Sequence, residues 1–185
     1  LSEQYNYALF EFGFIRGNHF GEILNLIKPN IGIITNFGDA HLSYLGSMID
    51  IALQKSEVLT YLASNGVAIL NKDDELSSSI EKYIKTKNIT KFGLSNSADY
   101  FATDIQHLGI EGMRLTLNNK FQVTLPIYSI SDVYNFLAAT AALVALDIPI
   151  ESVVNTFQEQ FQLPNGRGKL HKLKDFYIID DFIVA

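Results

Sequence analysis

The chain has 185 residues, 48% of them apolar, a formal charge of −6 and no cysteine, which allows one sizeable core and excludes disulfides and thiolate metal sites. Any metal must therefore be held by oxygen or imidazole, and an acidic balance without a basic cluster argues against a nucleic-acid partner. There is no apolar run of the roughly 18 residues a membrane span needs, and no basic-then-apolar leader, which predicts a cytoplasmic chain without membrane insertion.

The run Tyr7-Ala-Leu-Phe-Glu11-Phe-Gly13 reads as a first buried strand with a carboxylate near its end. A polar loop follows, then a short helix over 21–29 closed by Pro29. Ile31-Gly-Ile-Ile-Thr-Asn36 is a second buried strand, with His41 just beyond it. Ser47 is a good N-cap for a helix reaching about residue 63, with Asp50 in its first turn. Gly66-Val-Ala-Ile-Leu-Asn71 is a third strand, and 74–87 a helix with a polar face. This alternation predicts an α/β fold with a mostly parallel, Rossmann-like sheet flanked by helices.

After residue 88 the pattern changes. A strand over 89–94 precedes alternating segments at 100–105, 113–117 and 121–125, with Asn118-Asn119 as a hairpin turn, and this predicts an antiparallel β patch. Ser131 or Asp132 caps an apolar helix over 133–146, and another helix covers 150–161. The turn-rich loop Leu163-Pro-Asn-Gly-Arg-Gly-Lys169 leads to a closing run from residue 176 that stops inside an apolar, strand-like stretch. That ending predicts a piece of a longer chain.

Open α/β sheets bind ligands outside the carboxyl ends of their strands, so Glu11 and His41 form a candidate divalent-metal site. Each has a plainer explanation alone: Glu11 as a hydrated strand end, His41 as a satisfied loop histidine. Lys55 falls on the apolar stripe of its helix with Met48, Ile51, Ala52, Leu59 and Leu62. Either its methylenes snorkel along the core edge to bring the ammonium to water, or it points back towards the strand ends as a desolvated amine. A neutral amine can take up carbon dioxide to give a carbamate, an oxygen ligand. Mg²⁺ takes a few hard oxygens together with substrate phosphates, as in phosphoryl transfer. Asn135 is solvated, capping, or able to read a purine edge. Gly166-Arg-Gly-Lys-Leu170 fails as a P-loop because its first glycine is missing and Leu170 replaces Ser or Thr, yet Arg167 remains a candidate phosphate contact.

The segments Glu11-Phe-Gly13, Gly17-Asn-His-Phe-Gly-Glu-Ile23, Ile33-Ile-Thr-Asn-Phe-Gly-Asp-Ala-His41, Gly46-Ser47 and Gln54-Lys-Ser-Glu57 resemble the central domain of the Mur ligases. So do Gly66-Val-Ala-Ile-Leu-Asn-Lys-Asp-Asp74, Val133-Tyr-Asn135, Gly166-Arg167 and Ile178-Ile-Asp-Asp181, in the right order along almost the whole chain. The Asn-His-x-Gly-Glu-Ile stretch favours members that add a dipeptide over those that add one amino acid. The resemblance implies that 1–175 is the ATP-binding central domain without its P-loop segment and that 176–185 begins the link to a C-terminal domain. It implies an ATP- and Mg²⁺-dependent amide ligase that joins D-alanyl-D-alanine to a UDP-N-acetylmuramoyl-tripeptide in peptidoglycan synthesis, through an acyl phosphate. Its partners would be the UDP-sugar peptide and the dipeptide, and this piece alone would not turn over substrate.

By the same resemblance Glu11, His41 and a carbamylated Lys55 would be the catalytic metal ligands. Asn135 would meet the adenine, Arg167 the phosphates and Asp181 the ribose side, with Asp132 and Asn36 completing the nucleotide set. The chain departs from the family at Ser129-Ile-Ser131-Asp132, where Gly-x-His-Asn is usual, and at Phe182-Ile-Val-Ala185, where Ser-Tyr-Asn-Ala is usual. The alternatives are another ligase of the superfamily, of the cyanophycin-synthetase or folylpolyglutamate type, or a non-catalytic Mur-like binding protein.

Overall fold

Strands buried on both faces form where apolar residues run without a break, and Val67-Ala-Ile-Leu70 is the plainest case. The computed structural model describes residues 4–12, 19–38 and 48–181, with the backbone alone for residues 19, 20, 48 and 51. In chain order, α1 (His19–Ile27), β1 (Ile31–Ile34), α2 (Met48–Lys55), α3 (Glu57–Thr60), β2 (Val67–Asn71), α4 (Glu75–Glu81) and β3 (Ile89–Gly93) make the alternating part. Then come β4 (Tyr100–His107), β5 (Met113–Leu117), β6 (Phe121–Leu125), α5 (Ile130–Val144), α6 (Ile150–Gln160), β7 (Arg167–Leu173) and β8 (Phe176–Asp181).

A six-stranded sheet runs in the order β1-β2-β3-β4-β5-β6. The pairs from β1 to β4 are parallel, and β4-β5 and β5-β6 are antiparallel. This is the expected Rossmann-like sheet with its antiparallel patch. Asn118 and Asn119 both adopt positive φ (49° and 55°), the left-handed conformation asparagine tolerates, and the Lys120 N–H returns to the Leu117 carbonyl at 3.0 Å to close the turn. Strands β7 and β8 pair as a separate antiparallel hairpin.

Because strand side chains alternate, β2 feeds two cores. Ile69 packs with Phe92, Leu115, Val133 and Leu137 beneath α5, while Ala68 and Leu70 pack with Ile34, Phe37, Leu59 and Ile80 on the other face. Helix α5 lies over β2, β3 and β4, and α3 lies against β1. Helices therefore cover both faces, which leaves the carboxyl ends of the parallel strands as the open edge.

Three local readings change. Residues 7–12 are in no strand, and Tyr7 and Leu9 are exposed (64% and 93%). An apolar run becomes a strand only where a neighbour pairs its backbone, and these residues pair with no described strand. The helix expected to reach residue 63 breaks at Ser56, whose hydroxyl donates to the Leu53 carbonyl at 2.7 Å while the Leu59 N–H tightens onto the Ser56 carbonyl at 2.9 Å. The cap of α5 is Ser129, not Ser131 or Asp132. The Ser129 hydroxyl accepts the Asp132 N–H at 3.1 Å and the Asp132 carboxylate accepts the Ser129 N–H at 3.1 Å, a reciprocal capping box.

Candidate active site at the carboxyl edge of the sheet

Lys55 ends α2, and its ammonium donates to the Phe37 carbonyl just past β1. On the other side of that residue, the Phe37 N–H donates to Asp74 Oδ2 at 2.8 Å. Asp74 Oδ1 meanwhile accepts the Leu76 N–H at 3.0 Å and caps α4. The chain leaving β1 is thus held between an amine and a carboxylate, and the Phe37 ring is fully buried below. Burial holds the Lys55 pKa below the usual lysine value, with the nearby Asp74 charge pulling the other way. The Lys55 amine thus turns to the backbone just past β1.

The turn after β2 carries the other polar groups. Asn71 is buried (6% exposed); its Nδ2 donates to the Thr35 carbonyl at 3.0 Å and its Oδ1 accepts the Asp73 N–H at 3.0 Å. Asp73 Oδ2 accepts both the Leu94 N–H at 2.6 Å and the Tyr134 hydroxyl at 2.9 Å. Burial, the hydrogen bond to Asp73 and its negative charge together push the Tyr134 pKa up to about 12. The phenol therefore stays a donor at neutral pH. At Gly93 a Cβ would stand 2.7 Å from that same Asp73 oxygen and would push the carboxylate aside.

The predicted site residues divide as follows. Asn36 is exposed beside Phe37, and Asn135 is exposed in the second turn of α5 next to Tyr134. Asp132 spends its Oδ2 on the capping box, accepting also the Ser129 hydroxyl at 2.8 Å. Arg167 and Asp181, both exposed, are brought together as register partners across β7 and β8. Glu11 is exposed, in the segment 7–12 that is in no described strand. His41 lies outside the described residues, and among the described residues no three His, Asp or Glu side chains are gathered as a metal site.

Sequence reasoning passed over Asn71, Asp73, Asp74 and Tyr134. The available signal was Asn71-Lys-Asp-Asp74, a polar run at the carboxyl end of a buried strand, where an α/β sheet places ligand-facing groups. Tyr134 gave no such signal, because an aromatic near the start of an apolar helix reads as core.

The profile of the Mur ligase middle domain matches residues 1–143. The chain belongs to the Mur ligase family. It is 30% identical over 83% of its length to the UDP-N-acetylmuramoyl-tripeptide--D-alanyl-D-alanine ligase of Buchnera aphidicola subsp. Baizongia pistaciae, and covers 34% of that protein. It is 29% identical over 98% of its length to the ligase of the same name from Escherichia coli (strain K12), covering 41% of it. A crystal structure of MurF from Acinetobacter baumannii superposes on the whole chain with a TM-score of 0.88 at 28% identity, with 40% of that chain covered. The Mur ligase fold is also shared with MurF of Thermotoga maritima in complex with ADP, at a TM-score of 0.74 and 22% identity over 89% of the chain and 39% of that one. The chain spans roughly two-fifths of the length of such Mur ligases.

Proposed function

We propose that this chain is the nucleotide-binding central domain of an ATP-dependent Mur ligase that adds D-alanyl-D-alanine to a UDP-N-acetylmuramoyl-tripeptide in the cytoplasm. The observation that carries this reading is the superposition of the whole chain on a MurF structure at a TM-score of 0.88. Residues 1–175 would form that domain and 176–185 the start of the link to the next.

The donor set suits Mg²⁺. Lys55 is an amine held at the strand ends with a lowered pKa, so a larger fraction is neutral than for a free lysine. Its lone pair can attack the carbon of carbon dioxide; an N–C bond forms, one C–O π bond opens, and a proton leaves to solvent. The resulting carbamate, with Glu11 and His41, would supply the hard oxygen and imidazole donors. Mg²⁺, when bound there, would neutralise charge on the phosphates. Asn36, Asn135, Asp132, Arg167 and Asp181 would orient the nucleotide. With the phosphate groups so held, the substrate carboxylate takes the γ-phosphoryl group from ATP. The dipeptide amine then attacks the acyl phosphate, and the tetrahedral intermediate expels phosphate as the amide forms.

The full-length protein, supplied with ATP, Mg²⁺, the UDP-linked tripeptide and D-alanyl-D-alanine, is expected to release phosphate only when every component is present, with one amide formed per ATP consumed. Ligation of a single amino acid in place of the dipeptide would assign it to another branch of the family. Absence of any nucleotide hydrolysis would mark it as a binding protein.

A further inference from the structure

The bonds that Asp73 makes have no part in the scheme above. Helix α5 is pressed onto the sheet by buried Val133, Phe136 and Leu137. Apolar packing of that kind is non-directional and does not by itself aim a polar side chain. The capping box is internal to the helix and does not tie it to the strands. Among the described residues, the second turn of α5 is tied directionally to the strand ends by the Tyr134 hydroxyl on Asp73 Oδ2 at 2.9 Å, an oxygen already fixed by the Leu94 N–H at 2.6 Å. Asp73 is in turn held through Asn71 to the Thr35 carbonyl, so one line of hydrogen bonds runs from the end of β1 to α5. Gly93 leaves the space in which the carboxylate crosses the end of β3.

We propose that Asp73 is a positioning residue which, through the Tyr134 hydroxyl, fixes the second turn of α5 over the strand ends and so sets where Asn135 meets the nucleotide base. This rests on the reading of that turn as a nucleotide contact. Its mark is selectivity: loss of the tie misplaces one turn of helix and weakens ATP without touching the amine-binding part of the enzyme.

The test is steady-state kinetics of the intact ligase with ATP varied at saturating tripeptide and dipeptide, and then with the dipeptide varied. Tyr134→Phe and Asp73→Ala are each expected to raise KM for ATP roughly tenfold, the loss of one charge-assisted hydrogen bond. The values of kcat and of KM for the dipeptide stay within about twofold. Asp73→Asn, whose amide oxygen can accept both bonds at the same place, stays near the unsubstituted enzyme. Asn135→Ala, run in parallel, is expected to raise KM for ATP. If it does while Tyr134→Phe and Asp73→Ala leave KM for ATP unchanged, or raise both KM values alike, the positioning role is wrong. If Asn135→Ala itself changes nothing, the nucleotide reading of α5 fails on its own arm and takes the positioning role with it.

Discussion

Lys55→Ala in the intact ligase is expected to lower kcat by at least about a hundredfold, with partial recovery when a short carboxylate such as formate or acetate is added. The side chain sits at the carboxyl edge with its nitrogen on the Phe37 carbonyl, where the proposed carbamylation would turn a cation into an anionic oxygen donor. Alanine removes that donor and leaves a space that a small free carboxylate can enter. The stability readout separates chemistry from folding. Burial lowers the pKa of Lys55 below the ordinary value of 10.5, so the unfolded state holds the proton more tightly. Stability therefore rises with pH between the folded-state value and 10.5, and at neutral pH the buried ammonium is a cost. Removing it offsets the lost hydrogen bond, and the net change is expected within about 1 kcal/mol. Loss of ligation accompanied by a collapse in Tm would instead make Lys55 a structural residue, and unchanged ligation would remove it from the mechanism.

The largest stability loss is expected at Gly112→Ala, far from this chemistry. Gly112 has φ 95° and ψ −136°, a region that is essentially glycine's alone. A Cβ there would lie 2.0 Å from the Leu125 carbonyl oxygen and 2.8 Å from Pro126 Cα. Both obstacles are backbone. Neither can retreat without disturbing the pairing of Met113 with Leu125 that starts the β5-β6 ladder, whose side chains lie in the main core. The expected cost is about 3 kcal/mol or more, seen as a Tm lowered by roughly 6–12 °C in thermal unfolding. Unchanged Tm would mean that the β4-β5 connection differs from the one described.

The parts of the fold that were legible in the sequence are those whose signal is local. Val67-Ala-Ile-Leu70 could be only a doubly buried strand, and Asn118-Asn119 between alternating segments could only turn. Lys55 stood out by its place on an apolar stripe, and its amine turns to the Phe37 carbonyl just past β1. The capping box of α5 was misread because Ser129, Ser131 and Asp132 offer competing caps within one turn, and the choice depends on where the chain from β6 arrives. Residues 7–12 have a strand's composition, but composition cannot supply a pairing partner. The Asp73–Tyr134 contact joins residues 61 apart and exists only because the topology lays α5 across the ends of β2 and β3. No periodicity in the sequence encodes that meeting.

Carbamylation of Lys55 is the central chemical claim, and carbon-13 NMR of the intact ligase in ¹³C-labelled bicarbonate tests it most directly. The account predicts a protein-bound carbamate resonance that appears with the label, sharpens or shifts on adding Mg²⁺ and nucleotide, and is missing from Lys55→Ala. An active enzyme with no such resonance, or one that persists in Lys55→Ala, would contradict it.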